Sequence, residues 1–205
     1  MSCSSLWGIK PNYIGEELAE YKNSWWFSPI VWRVLSDKYL PREYGMISSV
    51  IGLNGHVVWS KINNIMNNSS NTPDRICWEI TNQQIFFTKD KVCIVDNIRK
   101  FIEQNKEYDK STEDGLSILE REHIIERFEA IANDILELDE NEYPYFVLKN
   151  TSCDDGVEFW FNSYDEENDE YAEKSIKDWD RVLAEFVVIK NEKIDKFISN
   201  LDYQY

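Results

Sequence analysis

The sequence predicts an α+β fold that is predominantly helical, with a helical N-terminal part, a small antiparallel sheet and a C-terminal helix. Only seven Gly and five Pro occur in 205 residues, and this scarcity disfavours a turn-dense sandwich or barrel. Residues 116–138 show the spacing of apolar side chains that is typical of an amphipathic helix. Beyond Pro144, short aromatic and β-branched runs indicate strands instead.

The first third of the chain is predicted to form short helices. Residues 13–21 follow Pro11-Asn12 and carry two glutamates near the expected positive end of a helix. Ser28-Pro29 has the form of an N-cap followed by proline at the first helical position, and this helix should stop before Pro41. Residues 56–66 and the segment that starts at Thr72-Pro73 have apolar side chains on one helical face.

The middle of the chain contains one ambiguous segment and one strong helix. Residues 84–88 and 92–95 are two short apolar runs. They predict either a small hairpin or a helix over 96–106 that is opened by the second run. The longest element is the predicted helix at 116–138. Its apolar face is formed by Leu119, Ile124, Ile125, Phe128, Ile131, Ala132, Ile135 and Leu138.

The C-terminal part is predicted to contain the small sheet. Residues 145–149 and 157–161 are aromatic and β-branched and are joined by a loop-forming segment, which indicates an antiparallel hairpin at about 145–161. Residues 182–189 form a candidate third strand, and residues 192–201 a closing helix. We expect a single α+β domain over residues 1–205. The alternative is a helical unit at 1–105 and an acidic α+β unit at 106–205.

The charge of the chain is strongly negative and unevenly distributed. The net charge is -16, from 22 basic and 38 acidic side chains. Residues 1–105 have a net charge of +1 and residues 106–205 of -17, with the densest acidic run at 165–173. A field of this sign attracts basic proteins and repels nucleic acid. We therefore expect a basic protein partner and no direct contact with nucleic acid.

Aromatic residues lie beside the acidic run and suggest an interface. Tyr and Trp are enriched among the residues that dominate binding energy, although they are also good core material. The opposing interpretation of the run at 165–173 is a solvated loop. The predicted partner interface consists of Asp154, Asp155, Trp160, Tyr164, Asp165, Glu166, Glu167, Asp169, Glu170 and Glu173.

The sequence predicts no catalytic residue, no metal site and no cofactor. It lacks the GxSxG, GxxxxGK[ST], GxGxxG and HExxH motifs. Glu120 and His123 form one ExxH element, whereas a di-iron site needs two. The four cysteines are far apart, without the paired spacing of a zinc site. An enzyme of unrecognised type remains an alternative to a binding protein.

The start of the chain predicts a cytoplasmic location. Residues 1–8 lack a basic region followed by an apolar stretch, so no signal peptide is recognised. No apolar run approaches the ~20 residues of a membrane helix. We therefore expect reduced thiols and no membrane association, while the oligomeric state stays open.

The chain resembles the cytosolic immunity proteins of bacterial polymorphic and contact-dependent toxin systems in its general character. The likeness lies in its size, its acidity and its dense aromatic groups, of which Trp25-Trp26-Phe27 and Phe159-Trp160-Phe161 are examples. This resemblance implies an inhibitor that occludes the active site of a cognate toxin, often a basic nuclease. A DNA-mimicking inhibitor of the anti-restriction type is the alternative binding protein.

Overall fold

The protein is described by a computed structural model that covers residues 3–22, 27–40, 55–110, 114–151 and 160–204. Helices account for 42% and strands for 26% of the residues that the structure describes. The prediction of a predominantly helical fold with a small antiparallel sheet is wrong, because the structure contains a six-stranded mixed sheet. The described helices are α1 (Ser28–Tyr39), α2 (Gly55–Asn67), α3 (Thr72–Thr81), α4 (Lys91–Gln104) and α5 (Glu122–Glu137). The described strands are β1 (Cys3–Ile9), β2 (Gly15–Lys22), β3 (Ile85–Phe87), β4 (Tyr145–Thr151), β5 (Asn162–Asp165), β6 (Glu170–Glu173), β7 (Glu185–Lys190) and β8 (Lys193–Ser199).

The chain divides into two compact units that interleave along the sequence. We call them the sheet unit, formed by Met1–Ser24, Gln83–Val92 and Asp134–Tyr205, and the helical unit, formed by Trp25–Asn82 and Cys93–Asn133. The single domain expected over residues 1–205, and the alternative division into 1–105 and 106–205, both stay predictions.

The sheet unit is built on the strand order β2-β1-β4-β3-β7-β8. Antiparallel pairing joins β1 to β2 and to β4, and it also joins β3 to β4 and β7 to β8. Only β3 and β7 run parallel among these pairs of described strands. A separate two-stranded antiparallel sheet is formed by β5 and β6.

The predicted C-terminal helix at 192–201 is the strand β8. Asn191 and Glu192 both have positive φ angles, of 51° and 61°, as the two-residue turn of a tight β-hairpin requires. The turn pairs Lys190 with Lys193 and returns the chain along β7. The spacing of Ile194, Phe197 and Ile198 matched a helix, but pairing with a buried neighbouring strand decides the structure here.

Two other predicted elements are also wrong. Residues 13–21 fall mostly in strand β2, because Tyr13 adopts a positive φ of 65° in a turn and the chain then pairs with β1. Strand β4 is present where the predicted hairpin at 145–161 begins, but β1 and β3 are its partners. Most of the second predicted strand, 157–161, lies outside the described residues. The candidate third strand at 182–189 corresponds to β7 at 185–190.

The ambiguous segment at 84–95 contains both a strand and the start of a helix. Residues 85–87 form the short strand β3, and α4 begins at Lys91. The predicted helices near 28–40, 56–66 and 72–80 are confirmed as α1, α2 and α3. The predicted long helix is confirmed as α5, preceded by a short 3-10 turn at Ile118–Glu120.

The helical unit contains a buried charge, Asp74, at the start of α3. Its side chain has no exposed surface and accepts hydrogen bonds from Lys38 (2.7 Å) and the hydroxyl of Tyr39 (2.6 Å). Two amides, those of Gln104 (3.0 Å) and Asn105 (2.9 Å), donate to its other oxygen. The carboxylate therefore links α1, α3 and the end of α4 in a fully hydrogen-bonded network.

One face of the six-stranded sheet carries an aromatic core. The buried members of this cluster are Trp7, Ile9, Ile85, Tyr145, Val147, Phe161, Ile176, Ala184 and Phe186. Phe161 and Ile176 come from outside that sheet, immediately before β5 and after β6. The segment that carries the two-stranded sheet is thus fixed to the main sheet at both of its ends.

Candidate functional site

The predicted interface lies on the hairpin formed by β5 and β6, which we call the acidic hairpin (residues 162–173). Its strands pair antiparallel from Asn162 with Glu173 to Asp165 with Glu170. Every residue of β6 is exposed, and β5 is only partly covered. The hairpin therefore presents its side chains to solvent along most of its length.

The base of the hairpin is rigidly anchored. The ring of Phe161 is 1% exposed and stacks on Trp7, with 5.2 Å between the ring centroids. Ile176 is fully buried, and its backbone amide donates to the carbonyl of Tyr13 (3.2 Å). The Lys174 amide donates to the Phe161 carbonyl (2.7 Å), which closes the base of the hairpin.

The tip of the hairpin is ordered by its own side chains. The Asp165 carboxylate accepts hydrogen bonds from the amide of Glu167 (2.9 Å) and the side chain of Asn168 (2.7 Å). These bonds, led by the one from Asn168, lower the pKa of Asp165 below its ordinary value. Asp169 adopts the positive φ of 56° that reverses the chain, and Asp is among the residues that tolerate this conformation.

Two tyrosines form an exposed pair across the hairpin. Tyr164 and Tyr171 are directly opposite one another, with 5.2 Å between their ring centroids. Their exposed fractions are 48% and 59%, which are large for aromatic side chains in van der Waals contact. The Tyr164 hydroxyl donates a hydrogen bond to Asp169, and this bond raises the pKa of Tyr164. The pair forms an exposed aromatic surface, with 59° between the ring planes, and acidic residues lie around it.

The carboxylates of the hairpin are not neutralised by salt bridges within the part of the chain that the structure describes. The segment 162–173 contains six acidic residues and no Lys or Arg. Two cations that follow it, Lys174 and Arg181, lie over the ring of Trp179 at 4.0 and 5.4 Å. Strong negative charge is therefore concentrated on one exposed hairpin.

Trp160 has a different environment from the rest of the predicted interface. Its ring is half-buried against the aromatic core, and the ammonium of the buried Lys149 lies 3.0 Å from the ring centroid. Its carbonyl accepts a hydrogen bond from the indole of Trp179 (2.9 Å). Trp160 thus lies at the base of the hairpin rather than beside the exposed tyrosines.

The structure brings most of the predicted residues together and adds one. Tyr171 was absent from the predicted interface, although Asn168-Asp169, a pair that favours a chain reversal, lies between it and Tyr164. Asp154 and Asp155 lie outside the described residues. The predicted residues on the hairpin are Tyr164, Asp165, Glu166, Glu167, Asp169, Glu170 and Glu173.

The comparisons add no relative from which a role could be transferred. None of the helices within the described residues combines the length and apolar character needed to cross a bilayer. Comparison of the chain with protein-family models, with curated proteins and with solved structures gives no match.

Proposed function

We propose that this protein acts by binding a basic protein partner through its acidic hairpin, without catalysing a reaction itself. The observation that carries this proposal is the exposed Tyr164–Tyr171 pair, surrounded by carboxylates that form no salt bridge with a described residue. Binding sites between proteins commonly combine an aromatic centre with a polar rim. The hairpin provides both features on a single short segment.

The two kinds of side chain would act at different stages of binding. The carboxylates create a negative field that increases the rate at which a basic partner arrives in the correct orientation. The tyrosine rings would be covered in the complex and would slow its dissociation. Because the base of the hairpin is anchored by Phe161 and Ile176, little conformational entropy should be lost on binding.

The resemblance to immunity proteins suggests a more specific role. In this proposal the partner is a toxin domain. The hairpin covers the active site of that toxin in the cytoplasm of the cell that produces it. A toxin that acts on nucleic acid has a positively charged substrate site, which fits the negative charge of the hairpin. The protein would then inhibit by covering this site.

The proposal is tested by cross-linking followed by kinetics. A photoreactive amino acid in place of Tyr171 captures the partner in extracts of the native cell, and the purified partner is then used in stopped-flow measurements. The variant Glu166→Lys/Glu167→Lys/Asp169→Lys/Glu170→Lys should reduce the association rate constant by at least about tenfold at low salt. The reduction should shrink as salt screens the charges.

The matched control reverses four other exposed acidic residues, Asp96, Glu122, Glu126 and Asp195. It has the same net charge as the hairpin variant, so a general charge effect would slow both variants equally. Equal association rates for the two variants would refute the hairpin as the contact surface. A captured partner without a basic surface would also contradict the proposal.

A further inference from the structure

A cavity of about 260 Å³ lies in the sheet unit, away from the tip of the acidic hairpin. Its apolar wall is formed by Leu6, Leu18, Ala19 and Leu138, together with the ring of Tyr143. The remaining lining residues are Asp134, Glu137, Asp139 and Glu142. The cavity is therefore lined both by apolar side chains and by carboxylates.

Two of the four carboxylates, those of Asp134 and Asp139, are held in place by hydrogen bonds. Asp134 accepts a hydrogen bond from the hydroxyl of Tyr21 (2.6 Å). Asp139 accepts from the backbone (2.9 Å) and side chain (3.0 Å) of Asn141, and these bonds lower its pKa. No described residue pairs with the carboxylate of Glu137.

None of the described residues that line the cavity is basic. Two lysines lie nearby, and both are occupied. The Lys10 ammonium pairs with Glu16 (2.7 Å), and that of Lys91 donates to the Leu138 carbonyl (2.5 Å). The last turn of α5, which carries Asp134 and Glu137, also contains no basic residue. A helix C-terminus favours cations, and the Lys91 ammonium at the Leu138 carbonyl meets this preference. None of the four carboxylates that line the cavity forms a salt bridge with a described residue.

We infer that this cavity binds the side chain of a lysine or arginine from the same basic partner. This assignment of the cavity rests on the proposed function. Lys and Arg side chains bury their aliphatic stems on apolar surface while the charged end remains with polar groups, and the apolar and acidic side chains that line the cavity match these two parts. The volume is below the ~300–1,000 Å³ of pockets for drug-sized ligands, which favours a single side chain.

The cavity and the base of the acidic hairpin both lie near Lys10. The hydrogen bond with Glu16 is the main cause that raises the pKa of Lys10, and the charges of Glu173, at the end of β6, and Glu142, on the cavity, add to it. The hairpin and the cavity therefore lie close to the same lysine. A single basic partner is expected to contact the hairpin with its surface charges and the cavity with one inserted side chain.

The test uses small probes of the inserted side chain and the full-length protein. N-acetyl-arginine amide is titrated into the ¹⁵N-labelled protein, with N-acetyl-citrulline amide as its neutral isostere. The arginine probe should shift the backbone amide signals of Ala19, Glu137 and Leu138 with a millimolar Kd, and the citrulline probe should not. Glu137→Gln should raise this Kd about three- to fivefold, and Ala19→Phe should abolish binding by filling the cavity.

The control variant is Glu126→Gln, which removes an exposed carboxylate of the same helix that does not line the cavity. Its Kd should equal that of the wild type. Equal shifts from the citrulline probe, or shifts confined to the hairpin, would overturn the inference. Micromolar binding of spermidine in the cavity would also overturn it, because the site would then serve a free polyamine.

The hairpin variant separates this inference from the proposed function. If the lysine-substituted hairpin still binds the arginine probe in the cavity while its association with the partner is slowed, both proposals hold. Probe binding together with an unchanged association rate would reject the hairpin alone. Slowed association without probe binding in the wild type would reject the cavity alone.

Discussion

The ring of Phe161 stacks on the indole of Trp7 with 5.2 Å between centroids and 20° between planes. The ring also lies against Gly15, where an added Cβ would be 2.4 Å from Cε2 of Phe161. Glycine at this position therefore allows the residue that anchors the acidic hairpin to enter the core. The sequence position of Gly15, at the start of β2, gives no indication of this contact.

We predict that Gly15→Ala destabilises the protein by about 1–3 kcal/mol, the usual cost of overpacking a filled core. The unfolding midpoint in urea gives the measurement. In Phe161→Leu the smaller side chain leaves room for the methyl group. The double variant Gly15→Ala/Phe161→Leu should therefore lose less stability than the sum of the two single variants. Strict additivity would show that the ring and the methyl group do not clash.

The buried Asp74 should be essential for stability. Asp74→Ala leaves the Lys38 ammonium, only 14% exposed, without its anionic partner and with the Asn105 side-chain oxygen as its remaining acceptor. Breaking a buried ion pair in this way costs about 3–5 kcal/mol. The free energy of unfolding from chemical denaturation is the measurement. The exposed pair Arg99–Glu129, with side chains 40% and 36% exposed, is the comparison. Glu129→Gln should cost less than about 1 kcal/mol, and similar losses in both variants would contradict this account.

Stability should fall at alkaline pH because of Tyr143. Burial, with hydrogen bonding to Glu16 and Glu142, raises the pKa of Tyr143 to about 12, whereas a tyrosine in an unfolded chain ionises near pH ~10. The contribution of Tyr143 is fully present below pH ~10 and is lost as the pH approaches 12, since only the unfolded state has then released its proton. In urea denaturation between those pH values, the free energy of unfolding should fall less with rising pH in Tyr143→Phe than in the wild type. Tyr171→Phe, at an exposed position, is the control. If the free energy of unfolding falls equally with pH in the wild type and in Tyr143→Phe, the effect is disproved.

Local signals in the sequence predicted the helices that are present, but they also predicted helices at 13–21 and 192–201, where the structure has strands. Pro29 and Pro73 mark the first turns of α1 and α3, and the apolar face of α5 was evident from spacing alone. Strand β2 contains Glu, Leu and Ala, which favour helices, and it becomes a strand only by pairing with β1. The parallel pairing of β3 with β7 joins residues about a hundred positions apart, for which a single sequence carries no local pattern.

The candidate site was predictable in its charge but not in its geometry. The run at 165–173 was recognised by composition, whereas its division into two paired strands depends on a turn at Asn168-Asp169. Trp160 and Tyr164 were expected to act together, but burial of Phe161 in the core separates them. The burial of Phe161 decides which of the neighbouring aromatic side chains face solvent. The identity of these residues does not show which of them are exposed.

The exposed tyrosines should control how long the complex lasts. Tyr164→Ser and Tyr171→Ser each remove a ring that is about half exposed in the free protein and would be covered by the partner. We expect each substitution to raise the dissociation rate constant by about tenfold or more, as at other aromatic binding centres, with little change in the association rate constant. Surface plasmon resonance with the captured partner separates the two constants. Val92→Ser, at a residue 59% exposed outside the hairpin, should leave both unchanged. A change confined to the association rate constant would show that the rings act before the complex forms and not as its apolar centre.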